Sequence, residues 1–385
     1  MDIIIDLRPL IGGKNTGVET YIKCLLGELF RIDRKNRYLL VTNSFHRQSW
    51  MADLFKGENI HFVQTHLPNK ILNLCLSVFN FPKLDLWFTK RQKHFNGFKA
   101  EIFFAPDLRP VSTSPKVAKI ITVHDLSFIR YPQFFSFKTR LWHRLLRPKR
   151  EIGNASRIIA VSEFTKQELL SVYNVPENKI TVIHEGVDED MGLQQLSKNE
   201  QIKIDEKYGL PADYFLFLAT LEPRKNLIRM IKAFRIFKSS NRNDIKLVLA
   251  GIKNPGIFRD IKIDHDPDII LSGYIAPEDK AYVFQKARVF IYPSIYEGFG
   301  LPLLEAMKSG TPIITSSSAS MPEIAAETAI YVNPFSTESI AKGMSRIVAT
   351  DLHSQLQQNC LKRVKDFSWE KCALQTLALF ENVKE

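Results

Sequence analysis

The sequence has no apolar run long enough to span a bilayer, which argues against a helical membrane protein. Its first residues, Met-Asp-Ile-Ile-Ile-Asp, carry acids where a signal peptide carries basic residues, and the apolar stretch is too short. They are expected to form the first buried strand of a cytoplasmic protein. The four cysteines, Cys24, Cys75, Cys360 and Cys372, are scattered and lack metal-ligand spacing, which points to plain thiols in a reducing compartment. The sequence shows no internal repeat, no low-complexity segment and no nucleic-acid-binding module. Gly12, Gly13 and Gly17 follow the first strand, but they do not fit the Gly-X-Gly-X-X-Gly dinucleotide fingerprint. That argues against a nicotinamide-dependent dehydrogenase and suits a flexible loop at a ligand cleft.

What the chain does have is length, and an excess of positive charge. Its 385 residues are too many for one ordinary core and suit two domains. The formal net charge is +12, and residues 1–190 carry +9 of it. The sharpest patch is 138–150, where Lys138, Arg140, Arg144, Arg147, Lys149 and Arg150 meet no acid. Phe134, Phe135, Phe137, Leu141, Trp142, Leu145 and Leu146 are interleaved with them. Two readings stand: a solvated helix with a buried apolar face, or a basic, aromatic-edged surface held against anionic lipid.

Short apolar segments at 3–7, 38–42, 60–63, 102–105, 119–123 and 157–161 read as strands, with helices at 18–32 and 163–173. The second half repeats the style. Strands are expected at 215–219, 246–250, 269–271, 289–293 and 312–315, and helices at 227–238, 277–287 and 302–309. Such alternation predicts an α/β protein with two doubly wound parallel sheets of Rossmann type. The expected domains are 1–190, 205–365 and a terminal helix in 366–385, with a polar linker in 188–204.

The most informative stretch is 296–310, Tyr-Glu-Gly-Phe-Gly-Leu-Pro-Leu-Leu-Glu-Ala-Met-Lys-Ser-Gly. Gly298 and Gly300 permit a tight turn, and Pro302 suits the first turn of a helix. The N–H groups at that helix start attract phosphate at the mouth of a doubly wound sheet. Glu305, about one turn into the helix, can accept hydrogen bonds from ribose hydroxyls; Glu297, before the turn, can reach the far side of a diphosphate. A glycine-rich turn with two surface acids is the bland alternative, and the length of the whole pattern disfavours it.

A second cluster, Glu222-Pro223-Arg224-Lys225-Asn226, ends the first strand of the second half and opens a helix. Arg can grip a phosphate bidentately, and Lys acts as a mobile point charge. The alternative is an ordinary basic helix start, which is weakened because cations there oppose the helix dipole unless an anion sits between them. A third cluster is Val123-His124-Asp125-Leu126, at the end of a first-half strand, where a histidine is either structural or functional.

Together these residues resemble the retaining glycosyltransferases of family 4, with the GT-B fold. The resemblance rests on Gly17-Val18-Glu19, 122–128, Val161-Ser162-Glu163-Phe164, Glu185-Gly186-Val187-Asp188, 222–226, 292–310, Pro322-Glu323 and Asn333-Pro334. Ala326-Glu327-Thr328 departs from the family's usual Gly-Asp-Ala. The resemblance is strongest to bacterial O-antigen and lipopolysaccharide enzymes, many of them mannosyltransferases. It implies two sheet domains facing a cleft, with the C-terminal helix crossing back to the first. It implies that Glu297 contacts the donor sugar on its reacting face and that His124 sits over that sugar. Arg224 and Lys225 would neutralise the diphosphate, and amides of Phe299, Gly300 and Leu301 beside Gly298 would hold the distal phosphate. Gly17 would approach the phosphates, Glu305 would bind ribose, and the base would pack near Ser272, Gly273, Tyr274 and Ile275. The implied donor is a nucleotide sugar, GDP-mannose before UDP-glucose or UDP-N-acetylglucosamine. The implied acceptor is a saccharide or lipid-linked saccharide, with peripheral contact at an anionic inner membrane face and no nucleic acid.

No cofactor is expected. Asp-X-Asp pairs at 188–190, 264–266 and 266–268 read as solvated acids, because Arg224, Lys225 and the helix start already supply positive charge where a metal would stand. The rival classes are a nucleotide-sugar epimerase and a non-catalytic sugar-nucleotide-binding subunit.

Overall fold

A computed structural model of the protein describes all residues except 12–15, 47, 190, 192–195, 221, 242, 252–265, 350–351 and 385. The chain divides into two compact units: Met1–Glu185 with Trp369–Glu385, and Gly186–Ser368.

The first unit is built on seven strands: β1 Asp2–Asp6, β2 Arg37–Asn43, β3 Ile60–Thr65, β4 Ile102–Ala105, β5 Ala118–Val123, β6 Arg157–Ala160 and β7 Ile180–Val182. Their order across the sheet is β3-β2-β1-β4-β5-β6-β7, and every pair is parallel. A parallel sheet is covered on both faces, so its central strands are apolar almost throughout. Thus Ile3, Ile4 and Ile5 of β1, Leu39 and Leu40 of β2, and Phe103 and Phe104 of β4 are fully buried.

Helix Gly17–Ile32 covers one face. It buries Tyr21, Ile22, Leu25, Leu26, Leu29 and Phe30 at helical spacing, and Thr16 caps its start by accepting the Glu19 amide. The C-terminal helix Trp369–Glu381 packs on it. Trp369 meets the Tyr21 ring edge-on, Phe380 packs on Phe104, and Arg31 pairs with Glu370 at 2.8 Å. The last helix therefore completes the core of the first unit after the chain has built the second.

The second unit holds six strands: β8 Tyr214–Leu218, β9 Lys246–Ala250, β10 Ile269–Gly273, β11 Val289–Tyr292, β12 Ile313–Ser316 and β13 Ala329–Val332. The order is β10-β9-β8-β11-β12-β13, again parallel. Most expected strands fall within a residue of these bounds.

The segment expected to be linker is helical in part. Helix Lys198–Tyr208 belongs to the second unit and starts with a capping box. Ser197 Oγ accepts the Glu200 amide, and Glu200 Oε2 accepts the Ser197 amide at 2.8 Å. Its polar composition hides it, but Ser-X-X-Glu was the legible signal.

Candidate active site

In the second unit, β8 and β11 are neighbours although the chain between them builds β9 and β10. The sheet is wound in opposite directions from this pair, and ligands bind doubly wound sheets at the C-terminal ends of such strands. The segments leaving β8 and β11 carry the candidate residues. Pro223–Lys225 forms a 3₁₀ turn after β8, and the Ile295 amide, after β11, donates to the Arg224 carbonyl at 2.8 Å. Asn226, with a positive φ of 64°, donates from Nδ2 to the Pro293 and Pro334 carbonyls and so ties three loops together.

This framework brings Glu297, Arg224 and Lys225 into one cluster. Arg224 Nη1 donates to Glu297 Oε2 at 2.6 Å, and its Nε donates to Glu222 at 2.8 Å. Lys225 Nζ lies 2.5 Å from Glu297 Oε1 and also donates to the Tyr292 hydroxyl. Tyr292 OH and Ser294 Oγ add hydrogen bonds to Oε1 at 3.1 and 2.9 Å. Glu297 itself is thus the anion between the two cations. Burial alone would push the Glu297 carboxyl up; Arg224, Lys225 and the hydrogen bonds outweigh it and hold the group at about 2. Burial and the neighbouring Arg224 charge push Lys225 below the usual lysine range, against the pull of Glu297.

The chain then turns through Gly298, Phe299 and Gly300 into helix Leu301–Lys308. Gly300 caps it at φ 115°, and a Cβ there would stand 2.7 Å from Met321 Cε. Ser320 Oγ donates to the carbonyls of Glu297 at 3.1 Å and Phe299 at 2.7 Å, which fixes the turn. The first amides of a helix have no partner within it. Glu305 lies on the same helix. Lys280 Nζ reaches its Oε1 at 2.5 Å, while Oε2 is shut away from solvent without a hydrogen-bond partner.

At the end of β10, Gly273 takes a positive φ of 72° and its carbonyl accepts the Gly251 amide at 2.7 Å. Ser272 Oγ donates to the Tyr208 carbonyl, Ile275 is buried, and Tyr274 is exposed.

Two candidates lie in the first unit. Gly17 is the exposed first residue of its helix, and residues 12–15 before it fall outside the described residues. His124 follows β5. Its Nδ1 lies 3.1 Å from Glu185 Oε1 and its Nε2 3.0 Å from the Pro106 carbonyl. Nearby, after β1 and β4, Arg8 forks onto buried Asp6 and Arg109 onto Asp107.

Of the acids considered for a metal, Asp266 pairs with Arg235, and Asp268 with Lys246 and Lys238. Asp190 and Asp264 lie outside the described residues. Sequence reasoning did not single out Tyr292, Ser294, Ser320 or Lys280. Tyr292 and Ser294 left one signal, two hydroxyls in the few residues between a strand and an acid. Ser320 and Lys280 left none, since each meets its partner through the fold.

Residues 16–191 match the model of the family Glycosyltransferase Family 4, and residues 199–366 match that of Glycosyl transferases group 1. The chain is 29% identical over 270 residues to O-antigen chain mannosyltransferase B of Escherichia coli, a match covering 68% of this chain and 70% of that protein. It is 28% identical over 230 residues to the serotype-specific mannosyltransferase WbdA of Escherichia coli, covering 58% of this chain and 28% of WbdA. Among solved structures, Anabaena HepE in complex with UDP and glucose superposes with a TM-score of 0.70 at 14% identity, covering 99% of this chain and 100% of that one. Two parallel-sheet units, the glutamate-bearing turn after β11 and the two family matches lead to one conclusion: the chain is a GT-B protein that belongs to glycosyltransferase family 4.

Proposed function

We propose that the protein transfers mannose from GDP-mannose, with retention, to a saccharide or lipid-linked saccharide acceptor in O-antigen or lipopolysaccharide assembly. One observation carries the donor-binding part. Helix Leu301–Lys308 begins at the Gly298–Gly300 turn and carries, about a turn on, a buried Glu305 Oε2 with no hydrogen-bond partner. The positive end of a helix thus sits beside an acceptor for a hydroxyl, a pattern that suits a ribose diphosphate. The mannose part rests on the two Escherichia coli relatives.

In this reading Arg224, Lys225 and the amides of Phe299, Gly300 and Leu301 stabilise the diphosphate as the C1–O bond breaks. No metal is required of that role. The leaving phosphate takes the electron pair. The acceptor hydroxyl bonds to C1 on the same face and passes its proton to the departing oxygen, through an oxocarbenium-like transition state. A covalent intermediate on Glu297 is disfavoured. Its Oε1 is met by Lys225, Tyr292 and Ser294 and its Oε2 by Arg224, and a carboxyl held at about 2 is a weak nucleophile. Glu297 instead orients the sugar hydroxyls.

Contact with an anionic membrane belongs to the same proposal. Helix Phe137–Leu145 has no buried residue, which speaks against the first of the two readings, a helix with a buried apolar face. Phe137 is 73% exposed, Leu141, Trp142 and Leu145 are exposed too, and Lys138, Arg140, Arg144, Arg147 and Lys149 surround them. Helix Asn69–Phe79 exposes a second stripe, Ile71, Leu74 and Val78, followed by Phe79 and Phe81. Arg150 joins the two regions by donating to the Leu76 and Ser77 carbonyls at 2.8 and 2.7 Å. Apolar side chains ringed by cations suit anionic lipid.

The test is a thermal-shift panel of GDP-mannose, UDP-glucose, UDP-N-acetylglucosamine and free nucleotides. A ligand at a hundred times its Kd stabilises by about 2.7 kcal/mol. GDP-mannose is expected to give the largest shift, and a flat response to every nucleotide sugar would end the proposal.

A further inference from the structure

The ring of His124 meets acceptors on both sides. Nε2 lies 3.0 Å from the Pro106 carbonyl oxygen, which can only accept. Nδ1 lies 3.1 Å from a carboxylate oxygen of Glu185, a buried residue just beyond β7. A neutral imidazole carries one N–H and can satisfy one of these contacts. The arrangement needs two, so the His124–Glu185 pair holds one proton more than a neutral histidine beside a carboxylate. The ring is fixed from its edge as well. Tyr21 packs against it at 4.7 Å, and the Tyr21 hydroxyl is engaged with Thr122 Oγ1 at 3.1 Å.

We propose that Glu185 is a positioning residue for His124, holding it as a doubly protonated, fixed cation at the end of β5 instead of a proton acceptor. Neither ring nitrogen has a lone pair left to take a proton from a substrate. His124 then brings positive charge, and an oriented ring, to the place where β5 ends.

The other charged and titratable groups around it do not supply this charge. Asp107, after β4, is forked by Arg109. Asp125 is turned to the Ser127 amide and hydroxyl at 3.0 and 2.7 Å. Tyr21, and Cys372 on the C-terminal helix, are kept neutral by burial. Burial pulls the His124 ring down, and the Glu185 hydrogen bond and charge, with the Pro106 carbonyl, more than reverse it.

The experiment is a long-range ¹H–¹⁵N spectrum of the histidine rings in the full chain, with His124 identified by its loss in His124→Gln. Native His124 is expected to show two protonated nitrogens at pH 7.5. In Glu185→Gln burial acts against the Pro106 carbonyl and Asp107 alone, so the ring should titrate at or below the ordinary value of about 6.5, and Glu185→Asp should restore the native spectrum. A native ring with one bare nitrogen at pH 7.5 would overturn the proposal, as would an unchanged ring in Glu185→Gln. If Glu185→Gln fails to fold, the native spectrum and Glu185→Asp still decide. A second arm rests on the transferase reading: activity of Glu185→Gln should fall about tenfold or more between pH 6 and 8, beyond any native change. The spectrum needs no donor, so failure to find transfer and failure of this proposal are separate results.

Discussion

Replacing Glu305 with Ala removes two things at once. One is the ion pair with Lys280, whose two side chains are 20–27% exposed and whose worth is therefore about 1 kcal/mol or less. The other is Oε2, a buried acceptor with no partner, whose desolvation costs about 1–3 kcal/mol in the empty protein. These oppose each other, so the melting temperature of the empty protein should move by only a few degrees in either direction. Donor binding has no such compensation. A hydrogen bond to a charged acceptor is worth about 1.5–3 kcal/mol, or about 10- to 150-fold in Kd. Isothermal titration of Glu305→Ala with GDP and GDP-mannose should show that loss for both ligands alike, because the nucleotide is the shared part. Native affinity in Glu305→Ala would refute the reasoning, and so would a loss confined to GDP-mannose, which would place Glu305 at the sugar.

Three further outcomes are expected. Gly251→Ala should destabilise the second unit far more than Gly300→Ala: a Cβ at Gly251 stands 1.9 Å from the Ala219 carbonyl oxygen, whereas at Gly300 it meets the movable end of Met321. Urea midpoints rank the two. Glu297 has a depressed folded value, so its contribution, on the order of 3 kcal/mol, is present above the unfolded value of about 4.3 and lost as pH falls through about 2. Urea melts between pH 2 and 6 should show native and Glu297→Gln protein converging in acid, with Glu297→Gln the less stable above pH 5 because Lys225 and Arg224 lose their anion. The double change Arg140→Glu and Arg144→Glu should abolish co-sedimentation with anionic vesicles, since each basic residue near the surface is worth about 1 kcal/mol. Raised salt should weaken native binding, and binding indifferent to both would refute the electrostatic part.

The strands were legible because a sheet covered on both faces demands unbroken apolar runs, and Ile3–Ile5 or Phe103–Phe104 can be little else. Glu297 and Glu305 were legible because turn glycines, a helix-start proline and two acids lie within one short stretch. What joins Glu297 to Lys225 was not, since the pair is created by β8 and β11 lying side by side. The same holds for His124 and Glu185, each at the end of its own strand. Helix Phe137–Leu145 read equally well as half-buried or exposed, because periodicity fixes which residues share a face and not what covers it.

The most direct test is release of GDP when native protein is given GDP-mannose and a saccharide acceptor, lipid-linked or free, with the new glycosidic bond analysed for configuration. Acceptor-dependent release of one GDP per sugar transferred is expected, with the configuration at C1 retained. Release without any acceptor product, or an inverted linkage, would contradict the proposed function.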